Sequence, residues 1–201
     1  MEASSDNLHY PGTSVLRNRL GISCVDQLKV QERRLVTVRS VQLVQGLVVL
    51  PGRFDFERLK ATHRQLFQDI YDWAGQPRGY DIRKGSSLFV VADELDETAA
   101  AMFAELRSAD DLRGLSDADF AEAVAHFYSH LNYLHPFPEG NGRTQRQFVA
   151  DLAAAAGHPL EWPADTDRQY TVTIAAFDGR TRPLIEYFRE AVAAGTDIPD
   201  L

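Results

Sequence analysis

The stretch Leu134-His135-Pro136-Phe137-Pro138-Glu139-Gly140-Asn141-Gly142-Arg143-Thr144-Gln145-Arg146 lies between two apolar runs of helical spacing. Upstream, Phe120, Val124, Phe127, Leu131 and Leu134 recur at intervals that place them on one helix face. Downstream, the run from Arg143 to Ala156 predicts a second helix, stopped by Gly157. Pro136 turns His135 out of the first helix, because the residue before a proline avoids the α region. Gly140 and Gly142 let the backbone bend tightly and approach a ligand closely. The backbone N–H groups of Asn141 to Thr144 would then stand unpaired at a helix N-terminus, which favours phosphate through its donors and its dipole. Arg143 and Arg146 are three apart, so they share one face of that helix and can close on the same anion. The stretch reads as a phosphate-binding active loop held between two core helices.

Most of the other elements also read as helices. Asp26 offers a cap for a helix running to about Val44, with Leu28, Leu35 and Val38 at helical spacing, and Asp55 caps one carrying Phe56, Leu59, His63, Leu66, Phe67, Ile70 and Tyr71. Trp73-Ala74-Gly75 closes that helix. Asp93 to Ser108 predicts a helix, Ser116 caps the long one before the loop, and Thr166–Phe177 and Arg182–Ala194 predict two more. Thr13 or Ser14 and Gly21 suggest a short helix near the start, and residues 1–7 read as a frayed terminus. Tyr80 to Val91 carries β-branched and aromatic residues on both sides of Lys84-Gly85-Ser86-Ser87, the pattern of a small β-hairpin. The expectation is one all-α domain over 1–201, its core about 8–195, with a single inserted hairpin.

Composition narrows the chemistry. The chain has 201 residues, 44% hydrophobic and 25% charged, with 21 basic against 29 acidic residues and a net charge of −8. That is ordinary for a globular protein and argues against a nucleic-acid binder working by bulk charge. The loop arginines form a local positive site on an acidic body, which suits a small anion. The single Cys24 excludes an internal disulfide and a cysteine-based zinc site. Met1–Asn7 is polar and acidic, unlike a signal peptide, and the longest apolar stretches are far short of a membrane span. The expectation is a cytoplasmic protein with no membrane and no nucleic-acid partner.

Within the loop, His135 is placed to act as a general base near neutral pH. Glu139 can either pair with the arginines or hold Mg²⁺ beside the anion, and the second role is expected. Phe137, apolar in a polar loop, anchors it to the core. Asn141 and Gly142 supply side-chain and backbone donors. His9, His63, His126, His130 and His158 lack such company and are assigned structural or exposed positions; His126 and His130, four apart, show no third metal ligand. The loop has neither the Walker form nor the dinucleotide fingerprint.

The segment resembles the signature of the Fic family, His-x-Phe-x-(Asp or Glu)-Gly-Asn-Gly-Arg-x-x-Arg, at every fixed position from His135 to Arg146. Tyr10-Pro11-Gly12-Thr13, the piece from Leu16 to Gly21, Trp73-Ala74-Gly75 with Arg78, and the hairpin are similar to that family's layout. The resemblance implies a helical bundle and a transferase that moves AMP from ATP, with Mg²⁺, to a Tyr, Thr or Ser hydroxyl of a target protein. It implies that His135 deprotonates the hydroxyl, that Glu139 holds Mg²⁺, that Gly140 belongs to the nucleotide-binding loop, and that Asn141 and Gly142 line the anion hole. Arg143 and Arg146 would grip the β- and γ-phosphates. Ser86, Ser87, Leu88 and Phe89 would form a flap that pairs edge to edge with the target. Relatives transfer UMP, phosphocholine or phosphate; a lysine stands at the Gly142 position in the phosphorylating one. A fold that has lost activity and serves as a docking module is the alternative from another class. Glu139 is the one glutamate followed by Gly or Asn, and it lacks Ser or Thr four before it, so the inhibitory motif Ser/Thr-x-x-x-Glu-(Gly/Asn) is not found in cis. The chain thus resembles toxin-type members. The resemblance implies a separate small antitoxin whose glutamate engages Arg146, and ATPase subunits of type II topoisomerases as targets.

Overall fold

Local signals set three of the helix starts. Ser116 Oγ accepts the Asp119 N–H at 3.2 Å, Asp55 Oδ1 accepts Arg58 N–H at 2.9 Å, and Asp165 Oδ1 accepts Arg168 N–H at 2.8 Å. Each satisfies one of the orphan donors at a helix start. In this computed structural model, which describes residues 8–84 and 87–196, the elements run α1 (Val25–Val44), α2 (Phe56–Phe67), β1 (Arg83–Lys84), β2 (Ser87–Leu88), α3 (Leu95–Ser108), α4 (Asp117–Leu134), α5 (Asn141–Ala156), α6 (Thr166–Phe177) and α7 (Arg182–Thr196). The strands pair antiparallel, Arg83 with Leu88 and Lys84 with Ser87.

α4 is the central post. Phe120, Val124, Leu131 and Leu134 along it are fully buried, together with Phe148, Val149 and Leu152 of α5 and Leu184, Tyr187 and Phe188 of α7. A second, smaller cluster forms where Leu28 and Val36 of α1 meet Leu66 and Phe67 of α2, with Ile70 and Tyr71 following. The glycine loop lies between these two clusters, and Phe137, 1% exposed, ties it to the larger one. Burial of that ring is worth roughly 2–3 kcal/mol, which fixes the loop between the helices it joins.

Several expectations need correction. Tyr10–Gly21 is not a helix: His9 and Leu16 form an antiparallel bridge, Tyr10 N–H reaches Val15 O at 2.9 Å, and Asn18 Oδ1 and Nδ2 both bond the Ile22 backbone. Cys24, not Asp26, occupies the N-cap of α1, with no side-chain cap, and Asp26 lies in the first turn. α2 ends at Phe67 rather than Tyr71: the chain tightens into a turn there, with Ile70 N–H on Phe67 O at 2.9 Å, and the Ile70 carbonyl accepts Arg19 N–H at 2.8 Å. Residues 1–7 and Ser86 of the expected flap lie outside the described residues.

Candidate active site

α4 delivers His135 at its C-terminal end. The residue is left-handed, φ 41° and ψ 59°, a conformation that costs a non-glycine residue about 1–2 kcal/mol. His135 N–H still closes the helix on Leu131 O at 3.4 Å. Its Nδ1 lies 3.2 Å from Asn132 O, and a carbonyl can only accept, so the ring proton is on Nδ1 and the lone pair on Nε2. The ring stacks on Phe89, 4.1 Å between centroids. That is the tautomer a general base working through Nε2 requires.

The chain then passes through a loop whose carbonyls are captured one after another. Arg78 Nε donates to His135 O at 3.0 Å and Arg78 N–H to Pro136 O at 2.8 Å. Asn141 Nδ2 donates to Phe137 O at 2.7 Å while its Oδ1 accepts Phe137 N–H at 2.9 Å. His63 Nε2 lies 3.0 Å from Glu139 O, and Thr144 donates to Gly140 O. Asn141 is thus buried and directed into the loop, so what it presents to an anion is its backbone N–H. Among the described residues the N–H groups of Asn141, Gly142 and Arg143 find no carbonyl, and Thr144 N–H is the first that does, on Gly140 O at 3.0 Å. This is the arrangement expected of an anion site at a helix N-terminus.

Gly140 has to be glycine. Its φ is +82°, and a Cβ there would lie 2.3 Å from Phe67 Cζ. Gly142 differs: a Cβ at that position meets nothing within 4 Å. The backbone there is open to approach.

His63, expected as a structural or exposed residue, is fully buried and belongs to the site's support. Gly75 N–H donates to its Nδ1 at 2.8 Å, so the proton is on Nε2 and is given to the Glu139 carbonyl. Burial pushes the imidazole down to about 3, so it is neutral at any working pH. Its ring stacks on Phe137 and Phe67 at 3.9 and 4.6 Å.

The two arginines have different holders. Arg143 Nη1 lies 2.6 Å from Glu32 Oε1 and Nη2 lies 3.2 Å from Glu139 Oε1, with the guanidinium over the Phe67 ring at 4.8 Å. Tyr71 OH donates to Glu32. Arg146 Nη1 instead donates to the amide oxygen of Gln169 at 2.8 Å, and Gln169 Nε2 donates to Tyr128 OH at 3.0 Å. Arg143 is compensated by carboxylates from two sides, whereas the partner of Arg146 is a neutral amide. Sequence periodicity gives no sign of Glu32 or Gln169, since both act across helices.

His135, Glu139, Arg143, Arg146, Gln169 and Phe89 are among the residues that line a cavity of about 650 Å³. The volume is that of a small-ligand site. Glu139, with its side chain 49% exposed, is the one carboxylate lining it among the described residues. A lone carboxylate beside phosphate donors fits Mg²⁺, which keeps most of its waters and takes its remaining oxygens from substrate phosphates. Of the expected flap, Phe89 reaches the cavity, and Ser87–Leu88 form the strand beside it. Among the described residues no three His, Cys, Asp or Glu side chains gather as a metal cluster, and no helix is long and apolar enough to cross a membrane.

The sequence pattern of the Fic/DOC family matches residues 53–153. The chain is 36% identical over 192 residues to the "Probable protein adenylyltransferase y4lH" of Sinorhizobium fredii, covering 94% of this chain and 97% of that one. It is 37% identical over 161 residues to the "Protein adenylyltransferase VbhT" of Bartonella schoenbuchensis, covering 80% of this chain and 33% of that longer protein. The fold superposes on BepC of Bartonella tribocorum, solved with bound AMPPNP, with a TM-score of 0.84, 27% identity, and 92% and 96% of the two chains covered.

Proposed function

The chain belongs to the Fic/DOC family, and from that premise we propose that it is a Mg²⁺-dependent protein adenylyltransferase, moving AMP from ATP to a Tyr, Thr or Ser hydroxyl of a target protein. One observation carries the reading. A histidine with its lone pair on Nε2 shares a cavity with a helix N-terminus whose first three N–H groups lack carbonyl partners. That is a base next to an anion site, the two things phosphoryl-centre displacement asks of a protein.

In this mechanism the target hydroxyl gives its proton to His135 Nε2 as its oxygen bonds the α-phosphorus. The bond from the α-phosphorus to the α,β-bridging oxygen breaks, and pyrophosphate leaves with that oxygen. The N–H groups of Asn141 and Gly142 receive the charge that grows on the non-bridging oxygens. Arg146 and Arg143 hold the β- and γ-phosphates, Arg146 more strongly because among the described residues no carboxylate pairs with it. Glu139 would hold Mg²⁺, which neutralises charge on the phosphates when bound. The edge of the β1–β2 hairpin would pair with an extended target segment and present its hydroxyl to His135.

Regulation by a separate small antitoxin is part of the same proposal. Arg143 and Arg146 line both the cavity and a groove of about 850 Å³, flanked by Val36, Val41 and Val44 of α1 and by Trp162. A helix bearing Ser/Thr-x-x-x-Glu-(Gly/Asn) laid there could bring its glutamate to Arg146. The ATPase subunits of type II topoisomerases are the target class the family resemblance suggests.

The test is incubation of the purified protein with a bacterial lysate, Mg²⁺, and ATP labelled at the α- or the γ-phosphate. Adenylyl transfer labels a protein band from the α-position alone. Label from the γ-position would make it a kinase, and no label from either would leave a docking module.

A further inference from the structure

Arg78 is 3% exposed, and among the described residues no carboxylate lies within ion-pair distance of it. The charge of Asp81 acts on it from beyond that distance, and a buried guanidinium with no carboxylate in contact is costly unless its donors are met. Three backbone carbonyls meet them here. Nε donates to His135 O at 3.0 Å, Nη1 to Tyr80 O at 2.7 Å, and Nη2 to Val90 O. Burial lowers its affinity for the proton somewhat, but an arginine stays charged regardless.

These carbonyls belong to different parts of the site. His135 is the base. Tyr80 and Val90 are the two stems of the segment that carries the β1–β2 hairpin, one on each side of it. The backbone adds two ties of the same kind: Arg78 N–H to Pro136 O at 2.8 Å and Val90 N–H to Tyr133 O at 3.2 Å. Phe89, next to Val90, stacks on the His135 ring. A closed circuit therefore runs from Arg78 through Val90 and Phe89 to the imidazole, and back through the His135 carbonyl to Arg78. Both the backbone and the ring of the base are referred to one planar group, whose fork geometry sets three directions at once.

We propose that Arg78 is a positioning residue that fixes the distance and register between the catalytic base and the hairpin that receives the target strand. The inference rests on the adenylyl-transfer reading. It assigns Arg78 a part in aligning the hydroxyl with His135 and none in holding the nucleotide, because the residue does not line the cavity. Misplacement by about 1 Å costs on the order of a hundredfold in rate. A lysine keeps the charge but can direct its ammonium along one short arc, so it cannot hold all three carbonyls.

The experiment compares wild type, Arg78→Lys and Arg78→Ala. It measures the rate of label incorporation from α-labelled ATP into a fixed bacterial lysate and the affinity for ADP by calorimetry. Far-UV circular dichroism checks the fold. The expected result is a loss of roughly 10–100-fold in rate for Arg78→Lys with the ADP affinity within about threefold of wild type. Methylguanidinium, supplied to Arg78→Ala, restores part of the lost rate. Arg78→Lys is expected to stay folded and decides the matter even if Arg78→Ala does not. Wild-type rate in a folded Arg78→Lys overturns the inference. So does a parallel loss of rate and ADP binding, which marks a purely structural role. A wild type that incorporates no label, although it binds ADP, sinks the transfer reading itself and this inference with it; label incorporated by wild type and Arg78→Lys alike sinks only the latter.

Discussion

Glu32 Oε1 lies 2.6 Å from Arg143 Nη1, joining the middle of α1 to the first turn of α5. Glu32 lines the groove rather than the cavity, whereas Arg143 lines both. The arginine is thus pulled from behind while its other nitrogen meets Glu139 in front. Tyr71 OH completes the rear contact by donating to Glu32. α1 lies outside the residues matched by the family pattern, so this contact comes from a part of the chain that the motif does not predict.

Replacing Glu32 by Gln leaves a mostly buried guanidinium with one carboxylate partner instead of two. The expected loss of stability is about 1–3 kcal/mol, read as a lower urea midpoint at unchanged m-value. Tyr71→Phe removes one hydrogen bond to the same carboxylate and should cost about 1 kcal/mol. If Glu32→Gln unfolds at the wild-type midpoint, the pair does not support the loop.

The two glycines of the loop should respond in opposite ways. Gly140→Ala forces a side chain into a left-handed residue and against the Phe67 ring, which cannot retreat because it packs on His63 and Tyr71. A loss of at least about 2–3 kcal/mol is expected. Gly142→Ala meets open space inside a helix, so stability should stay within about 0.5 kcal/mol or rise. Its cost should appear instead as weaker nucleotide binding, measured by calorimetry. Equal stability effects at the two positions would contradict the steric reasoning.

His63 makes the fold sensitive to acid. Its native pKa, pushed down to about 3 by burial, lies below the value of about 6.5 it has in an unfolded chain. The unfolded state therefore binds the proton first as pH falls. The contribution of His63 is fully present above pH 6.5 and is lost progressively below it, at about 1.4 kcal/mol per pH unit until the native pKa is reached. Between pH 7.5 and 5 this amounts to about 2 kcal/mol from the one residue. Urea titrations of wild type and His63→Gln at both pH values test it: the variant should lose less stability on acidification, though it is less stable at pH 7.5. An identical pH dependence in both would contradict a buried neutral imidazole.

Gln169 holds Arg146 through its amide oxygen and is itself held by Tyr128. Gln169→Leu keeps much of the volume but frees the guanidinium. ADP affinity is expected to fall by roughly 5–20-fold, the effect of losing one aligned charge-assisted hydrogen bond. Gln169→Glu should be worse, since the new carboxylate would compensate Arg146 and repel the phosphates.

What the sequence made legible was whatever depended on neighbours along the chain. Ser116 and Gly157 mark the ends of α4 and α5 because a cap is a matter of three or four residues, and Phe137 shows itself as an anchor by being apolar among polar neighbours. Tyr10–Gly21 misled for the same reason. Thr13 and Gly21 are cap residues, but they are equally turn residues, and here Asn18 bonds the Leu16 and Ile22 backbone in a bridged loop instead. The end of α2 could not be read because Ile70 and Tyr71, beyond it, are as buried as the helix face they follow, so the apolar spacing runs on past Phe67. His63 was placed on the right helix face, yet its partner Glu139 is 76 positions away, and periodicity carries no sign of such a bond. That His135, Glu139, Arg143 and Arg146 share one loop and helix start was thus open to reading, while the contacts of Glu32, His63 and Gln169 with it were not.

The most direct measurement is the rate of label transfer from α-labelled ATP by wild type and His135→Ala at the same occupancy of nucleotide, set from each protein's own ATP affinity. With Nε2 of His135 as the base, the rate should fall on the order of 10²–10⁴-fold while the affinity stays within about threefold. A variant that transfers label at the wild-type rate would contradict the assignment of His135, and with it the mechanism built on this loop.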